Sequence, residues 1–95
     1  MKIPQTIKIG GKKIKVRVSK TKYPSGDVGE WDGNRYIIKL DNLIDAPIER
    51  IEECFLHEII EAINQMYELK LRHWKINMLS EVLFQILKDN NLDFK

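Results

Sequence analysis

The sequence predicts an α+β fold in which a small three-stranded sheet, a hairpin plus an edge strand, packs on two C-terminal helices. Three observations support this prediction: apolar residues alternate in the first third of the chain, residues 35–41 are β-branched and alternating, and two segments after residue 45 have helical spacing. A chain of 95 residues is the length of one domain. We therefore expect a single domain over residues 1–95.

A hairpin is predicted over residues 5–19, where apolar and polar residues alternate on both sides of Gly10-Gly11. Two glycines between such runs favour a two-residue turn, because glycine readily adopts positive φ. The turn pairs Ile7 with Ile14, so the apolar faces of the two strands coincide. The apolar positions of the hairpin are Ile3, Ile7, Ile9, Ile14, Val16 and Val18.

Charge is distributed unevenly, although the net charge is only +2. Residues 1–26 contain Lys and Arg but no acidic residue, whereas all 14 acidic residues follow. The hairpin register places Lys8 opposite Lys13, an unfavourable pair of like charges. A basic strand face is usually a solvated surface, and this one lacks the interleaved aromatic residues that base stacking requires. Nucleic-acid binding is therefore the third choice of function, and it stays open.

The middle of the chain is predicted to be a loop followed by a strand. Residues 20–34 contain Pro24 and three glycines, which favours a loop with a short extended piece around residues 28–31. Residues 35–41 then form the third strand, which we expect at the edge of the sheet.

Two helices are predicted in the second half. The first runs from about residue 46 to 68, with Asp45 as the capping residue and Pro47 in the first turn. The second runs from about His73 to Asp89 after a short break. The apolar stripes are Ile48, Ile51, Phe55, Ile59, Ala62 and Met66 in the first helix, and Ile76, Leu79, Leu83, Ile86 and Leu87 in the second.

Composition excludes several classes of protein. No apolar run reaches the roughly 20 residues that span a bilayer, and the first residues lack the apolar segment of a signal peptide. We therefore expect a cytoplasmic protein without a membrane partner. The single cysteine, Cys54, excludes an internal disulfide and a cysteine-based zinc site. We expect Cys54 to face a different side of its helix from His57 and to be a small buried residue rather than a nucleophile.

His57 and Glu61 form the motif that points to chemistry. Residues at i and i+4 of a helix are neighbours, and an imidazole and a carboxylate both suit zinc. Such a pair on a helix surface is usually a solvated hydrogen bond. Here, however, Leu56 and Ile60 flank the pair, which indicates that the helix is covered on both sides.

Two residues are candidates for a third metal ligand. His73, the only other histidine, begins the second helix, and an antiparallel return of the chain would bring it towards the first helix. Glu81, within the second helix, is the alternative. Trp31 and Trp74 either line a substrate groove or cover the ends of the core.

The layout resembles the smallest zincin-type metallopeptidases of bacteria, phages and other mobile elements, in which a hairpin and an edge strand precede a helix bearing HExxH. The resemblance covers about residues 5–91. It is carried by Gly29-Glu30 with Tyr36–Asp41 as the edge strand, Phe55–Ile63 as the motif helix, and His73-x-x-Ile76-Asn77 as the third-ligand segment. This chain has HExxE instead of HExxH, and its third candidate is His where the family commonly has Glu. The imidazole and the carboxylate are therefore exchanged between the two positions.

The resemblance implies a zinc-dependent metallopeptidase of bacterial or phage origin. His57, Glu61 and His73 would hold zinc and leave one position for water, and Glu58 would activate the metal-bound water as general base. An extended peptide or protein substrate would add to the edge strand near residues 35–40. The alternative is a catalytically degenerate zincin-fold module that binds a protein partner, such as a repressor or a phage component.

Overall fold

The computed structural model describes residues 3–21, 29–43 and 46–92, which form a four-stranded sheet and two helices. The elements are β1 (Thr6–Ile9), β2 (Lys12–Thr21), β3 (Gly29–Asp32), β4 (Ile37–Leu43), α1 (Ile48–Met66) and α2 (His73–Asp89). The α+β class and both helices are as predicted. None of the described helices combines the length and the apolar character needed to cross a membrane.

The hairpin has the predicted register. Ile7 lies opposite Ile14, Lys8 lies opposite Lys13, and both turn glycines have positive φ, 54° at Gly10 and 84° at Gly11. Ile14 is fully buried and Val16 is buried. Val18, predicted to face the core, is instead 44% exposed. The reason is that β1 begins opposite Lys15, so Val18 lies beyond the end of the hairpin.

The prediction of three strands is wrong, because the sheet has four strands in the order β1-β2-β4-β3. β4 runs parallel to β2 and antiparallel to β3, so the segment predicted as an edge strand lies inside the sheet. The additional strand, β3, lies where the prediction placed a short extended piece, around residues 28–31, within a loop. Its four residues are held by pairing with β4, where Trp31 lies opposite Ile38. The Asp32 carboxylate then closes the following turn by accepting the backbone N–H groups of Asn34 and Arg35.

α1 lies between the sheet and α2. Ile51, Phe55 and Ala62 of α1 are buried in the same apolar cluster as the sheet residues Ile38 and Leu40. α2 packs along another side of α1 in the antiparallel direction, because its first residue lies near Glu61 and its Lys88 lies 3.4 Å from Glu52 near the start of α1. The inference that the first helix is covered on both sides is therefore confirmed.

The two helices depart from the prediction at one end and on one face. α1 begins at Ile48 with Pro47 as the residue before it, so Pro47 is not in the first turn and no side chain caps the helix. The predicted cap, Asp45, lies outside the described residues. The predicted core stripe of α2 is wrong at Leu79, Leu83 and Ile86, which are 40–50% exposed. α2 buries Ile76, as predicted, together with Ser80, because α1 covers only that side of it.

The repulsion between Lys8 and Lys13 provides a test of the hairpin register. Lys13→Glu converts a like-charge cross-strand pair into an opposite-charge pair, so it should raise the free energy of unfolding by about 0.2–1 kcal/mol in urea denaturation at low salt. The matched control is Lys20→Glu on the same strand, where the neighbour across the ladder is Asn42 and no comparable gain is expected. An equal gain in both variants would mean that only net charge matters and that the Lys8–Lys13 pair does not contribute.

Candidate metal centre

Three side chains from two helices converge on one point. His57 and Glu61 of α1 and His73 of α2 each offer a ligand atom, and these atoms lie within 4.8 Å of one another. Among the described residues this is the group of histidine, cysteine and acidic side chains that could hold a metal ion. Nδ1 of His73 lies 4.0 Å from Oε1 of Glu61, and the two imidazole centroids are 5.4 Å apart. The structure thus brings together the three residues that the sequence singled out.

The position of His73 depends on the turn between the helices. The side-chain amide of Asn64 in α1 accepts a hydrogen bond from the backbone N–H of Leu71 at 2.8 Å and donates one to the Leu71 carbonyl at 3.3 Å. Glu68 and Lys70 adopt left-handed conformations, with φ of 52° and 58°, which reverse the chain in a few residues. The turn therefore lets α2 begin at His73, the residue that faces Glu61.

The geometry of the three residues suits zinc after a small adjustment. Zinc bonds of 2.0–2.2 Å in a tetrahedral site place the ligand atoms about 3.4 Å apart. The group is wider than this by about an ångström. The His73 side chain is 71% exposed and its ring contact is with His57, another member of the group, so a small rotation of His73 would close the difference. Glu61 and His57 are half-buried, so their directions are set by α1. The donor set of two imidazoles and one carboxylate is one that zinc accepts.

Glu58 is a buried carboxylate beside this group. Its exposed fraction is 7%, and it lines the same cavity as His57 and Glu61. Gly29 at the start of β3 approaches it so closely that a Cβ atom there would lie 2.8 Å from Oε2 of Glu58. A glycine at this position therefore leaves room for the carboxylate.

The group opens into a cavity of about 490 Å³ between β3, α1 and α2. Among the residues that the structure describes, five glutamates line it and no lysine or arginine does. The described lining residues are Gly29, Glu30, Trp31, Glu53, Cys54, His57, Glu58, Glu61, His73, Asn77, Ser80 and Glu81. Trp31 lines the cavity and its indole N–H donates to the side-chain oxygen of Gln65. Trp74 is 59% exposed and does not belong to the lining.

Two other predictions are resolved by this cavity. Glu81, the alternative third ligand, lines the cavity but is not one of the three converging residues. Cys54 was predicted to face away from His57, and this is wrong: both residues line the cavity, because residues three apart lie on the same side of a helix. Burial raises the pKa of the Cys54 thiol, while Arg50 opposes the rise. The raised pKa keeps the sulfur protonated near neutral pH, in agreement with its predicted lack of nucleophilic character.

Comparison of the chain with protein-family models, with curated proteins and with solved structures finds no match. The function proposed below therefore relies on the geometry of the site and on the resemblance described above.

Proposed function

We propose that the protein is a zinc-dependent hydrolase of peptide bonds, in which His57, Glu61 and His73 bind the metal and Glu58 is the general base. The observation that carries the proposal is the convergence of three ligand atoms within 4.8 Å beside a buried carboxylate at an open cavity. Three protein ligands leave one position of a tetrahedral zinc ion free, as in catalytic sites. The bound ion would supply Lewis-acid polarisation of a carbonyl oxygen.

Glu58 is suited to hold and move a proton. Its carboxylate lines the cavity next to His57, and the helix fixes its direction relative to the ligands. In this role Glu58 accepts a proton from the attacking water and returns it to the departing amine. A base within hydrogen-bond reach of the nucleophile typically contributes about 10²–10⁴-fold to the rate.

The free edge of β3 supports a peptide as the substrate. In the described sheet β3 pairs with β4 on one side only, and Gly29, Glu30 and Trp31 line the cavity. An extended peptide can pair with such an edge and lie across the proposed metal position. The strand that receives the substrate is thus β3, not the segment at 35–40 that the sequence predicted.

A degenerate binding module on the same fold is the second candidate, and one observation favours it. The side chain of His73 is 71% exposed and Glu61 stands where the resembled family has histidine, so the metal site is less enclosed than three buried ligands would be. Peptide cleavage by the zinc-loaded protein separates the two candidates. Nucleic-acid binding through the exposed lysines of the hairpin stays a third prediction, and the glutamates around the cavity would repel a polyanion there.

Zinc binding should depend on His73 and not on Glu81. His73→Gln removes one of three ligands and should lower zinc affinity by about 100-fold, measured by competition with a chromophoric chelator. Glu81→Gln changes a carboxylate in the same cavity that lies outside the ligand group, so the affinity should stay within about threefold of the wild type. Greater loss in Glu81→Gln than in His73→Gln would assign the third ligand to Glu81.

Substitutions of three glutamates on α1 should distinguish a metal ligand, the general base and a residue with neither role. Glu58→Gln should retain zinc and lower cleavage of a mixed peptide library by about 10²–10⁴-fold, measured by mass spectrometry. Glu61→Gln should lose zinc and cleavage together, because a neutral amide is a poor zinc ligand. Glu53→Gln, in the same cavity lining, is the matched control and should retain both. Wild-type protein that binds zinc but cleaves no peptide would favour the binding module.

A further inference from the structure

α2 carries an apolar face that no other part of the described chain covers. Leu79, Val82, Leu83 and Ile86 are 50%, 47%, 40% and 40% exposed. Their spacing of i, i+3, i+4 and i+7 places them on one stripe that extends over two turns. We call these four residues the α2 stripe. An exposed apolar stripe of this regularity is typical of a helix that packs against another helix.

The α2 stripe faces away from the candidate metal centre. The residues of α2 that line the cavity are His73, Asn77, Ser80 and Glu81. On a helix with 100° per residue, these four positions lie about 110–170° from the middle of the stripe. A partner on the stripe would therefore leave the cavity open to substrate.

We propose that two copies of this chain associate by antiparallel, two-fold packing of α2 on α2 through the α2 stripe. A two-fold axis between positions 82 and 83 places Leu79 of one copy opposite Ile86 of the other, and Val82 opposite Leu83. The apolar stripe is therefore complementary to itself in the antiparallel direction, as an isologous interface requires. The antiparallel arrangement also sets the two helix dipoles in opposite directions.

The charges at the ends of the stripe favour a second copy as the partner. Lys75 lies near the start of α2 and Asp89 at its end. Both are exposed and lie beyond the two ends of the stripe, about two turns from the axis. Antiparallel packing brings Lys75 of each copy near Asp89 of the other. The neighbouring cation Lys88 interacts with Glu52 of its own chain and so does not oppose this pairing. Parallel packing would instead place like charges together.

The test measures mass against concentration by sedimentation equilibrium of the full chain. The wild type should form a dimer with a dissociation constant of about 1–100 μM, as expected for a small two-helix interface. Val82→Glu should raise this constant at least 100-fold, because the two-fold axis places both new charges at the centre. The matched control is Val18→Glu, which changes a valine of similar exposure, 44% against 47%, on β2. It should leave the dimer unchanged, and circular dichroism checks that both variants fold.

A charge exchange tests the direction of packing. Lys75→Glu and Asp89→Lys should each weaken the dimer about 3–10-fold at low salt, and the double variant should restore the wild-type constant. A wild-type chain that stays monomeric at 1 mM would overturn the proposal, and so would a dimer that Val82→Glu does not weaken. A double variant weaker than either single variant would contradict the antiparallel arrangement.

Discussion

The position of the candidate site and the exposure of α2 both depend on how α1 packs between the sheet and α2. One side of α1 buries Ile51, Phe55 and Ala62 against the sheet, and α2 packs on another side. The remaining direction, between β3 and the start of α2, is where His57, Glu58 and Glu61 line the cavity. The His57–Glu61 pair, which would be solvated on a surface helix, is therefore partly enclosed by β3, α1 and α2. The same arrangement leaves α2 with one covered side, which explains why its apolar residues on another side are exposed.

The parts of the fold that local rules decide were predictable. The Gly10-Gly11 turn and the alternation around it determine the hairpin register, and helical spacing determines both helices to within a few residues. β3 was predicted only as a short extended piece within a loop, because residues 29–32 carry little periodic signal and are held in the sheet by pairing with β4. The exposure of Leu79 and Leu83 was missed for a related reason. Apolar spacing identifies a face but does not say whether the same chain covers it.

The candidate site was predictable where it lies on one helix. The i, i+4 spacing makes His57 and Glu61 neighbours on any α-helix, independently of tertiary contacts. The approach of His73 depends on a turn with two left-handed residues that follows no clear sequence signature. Cys54 was predicted on a different side of α1 from His57. That prediction is wrong because residues three apart lie on the same side of a helix. The close approach of Gly29 to Glu58 could not be predicted, because it requires β3.

X-ray absorption at the zinc edge of zinc-loaded wild-type protein tests the central claim most directly, because it reports the atoms bound to the metal. The proposed ligand set should give imidazole scattering from two histidines and nitrogen or oxygen ligands at about 2.0–2.2 Å. Glu58→Gln should give the same spectrum, since Glu58 is not a ligand. A sulfur ligand at about 2.3 Å would instead place Cys54 on the metal, and a spectrum with fewer than two imidazoles would remove His57 or His73 from the site. Either result would contradict the proposed ligand set.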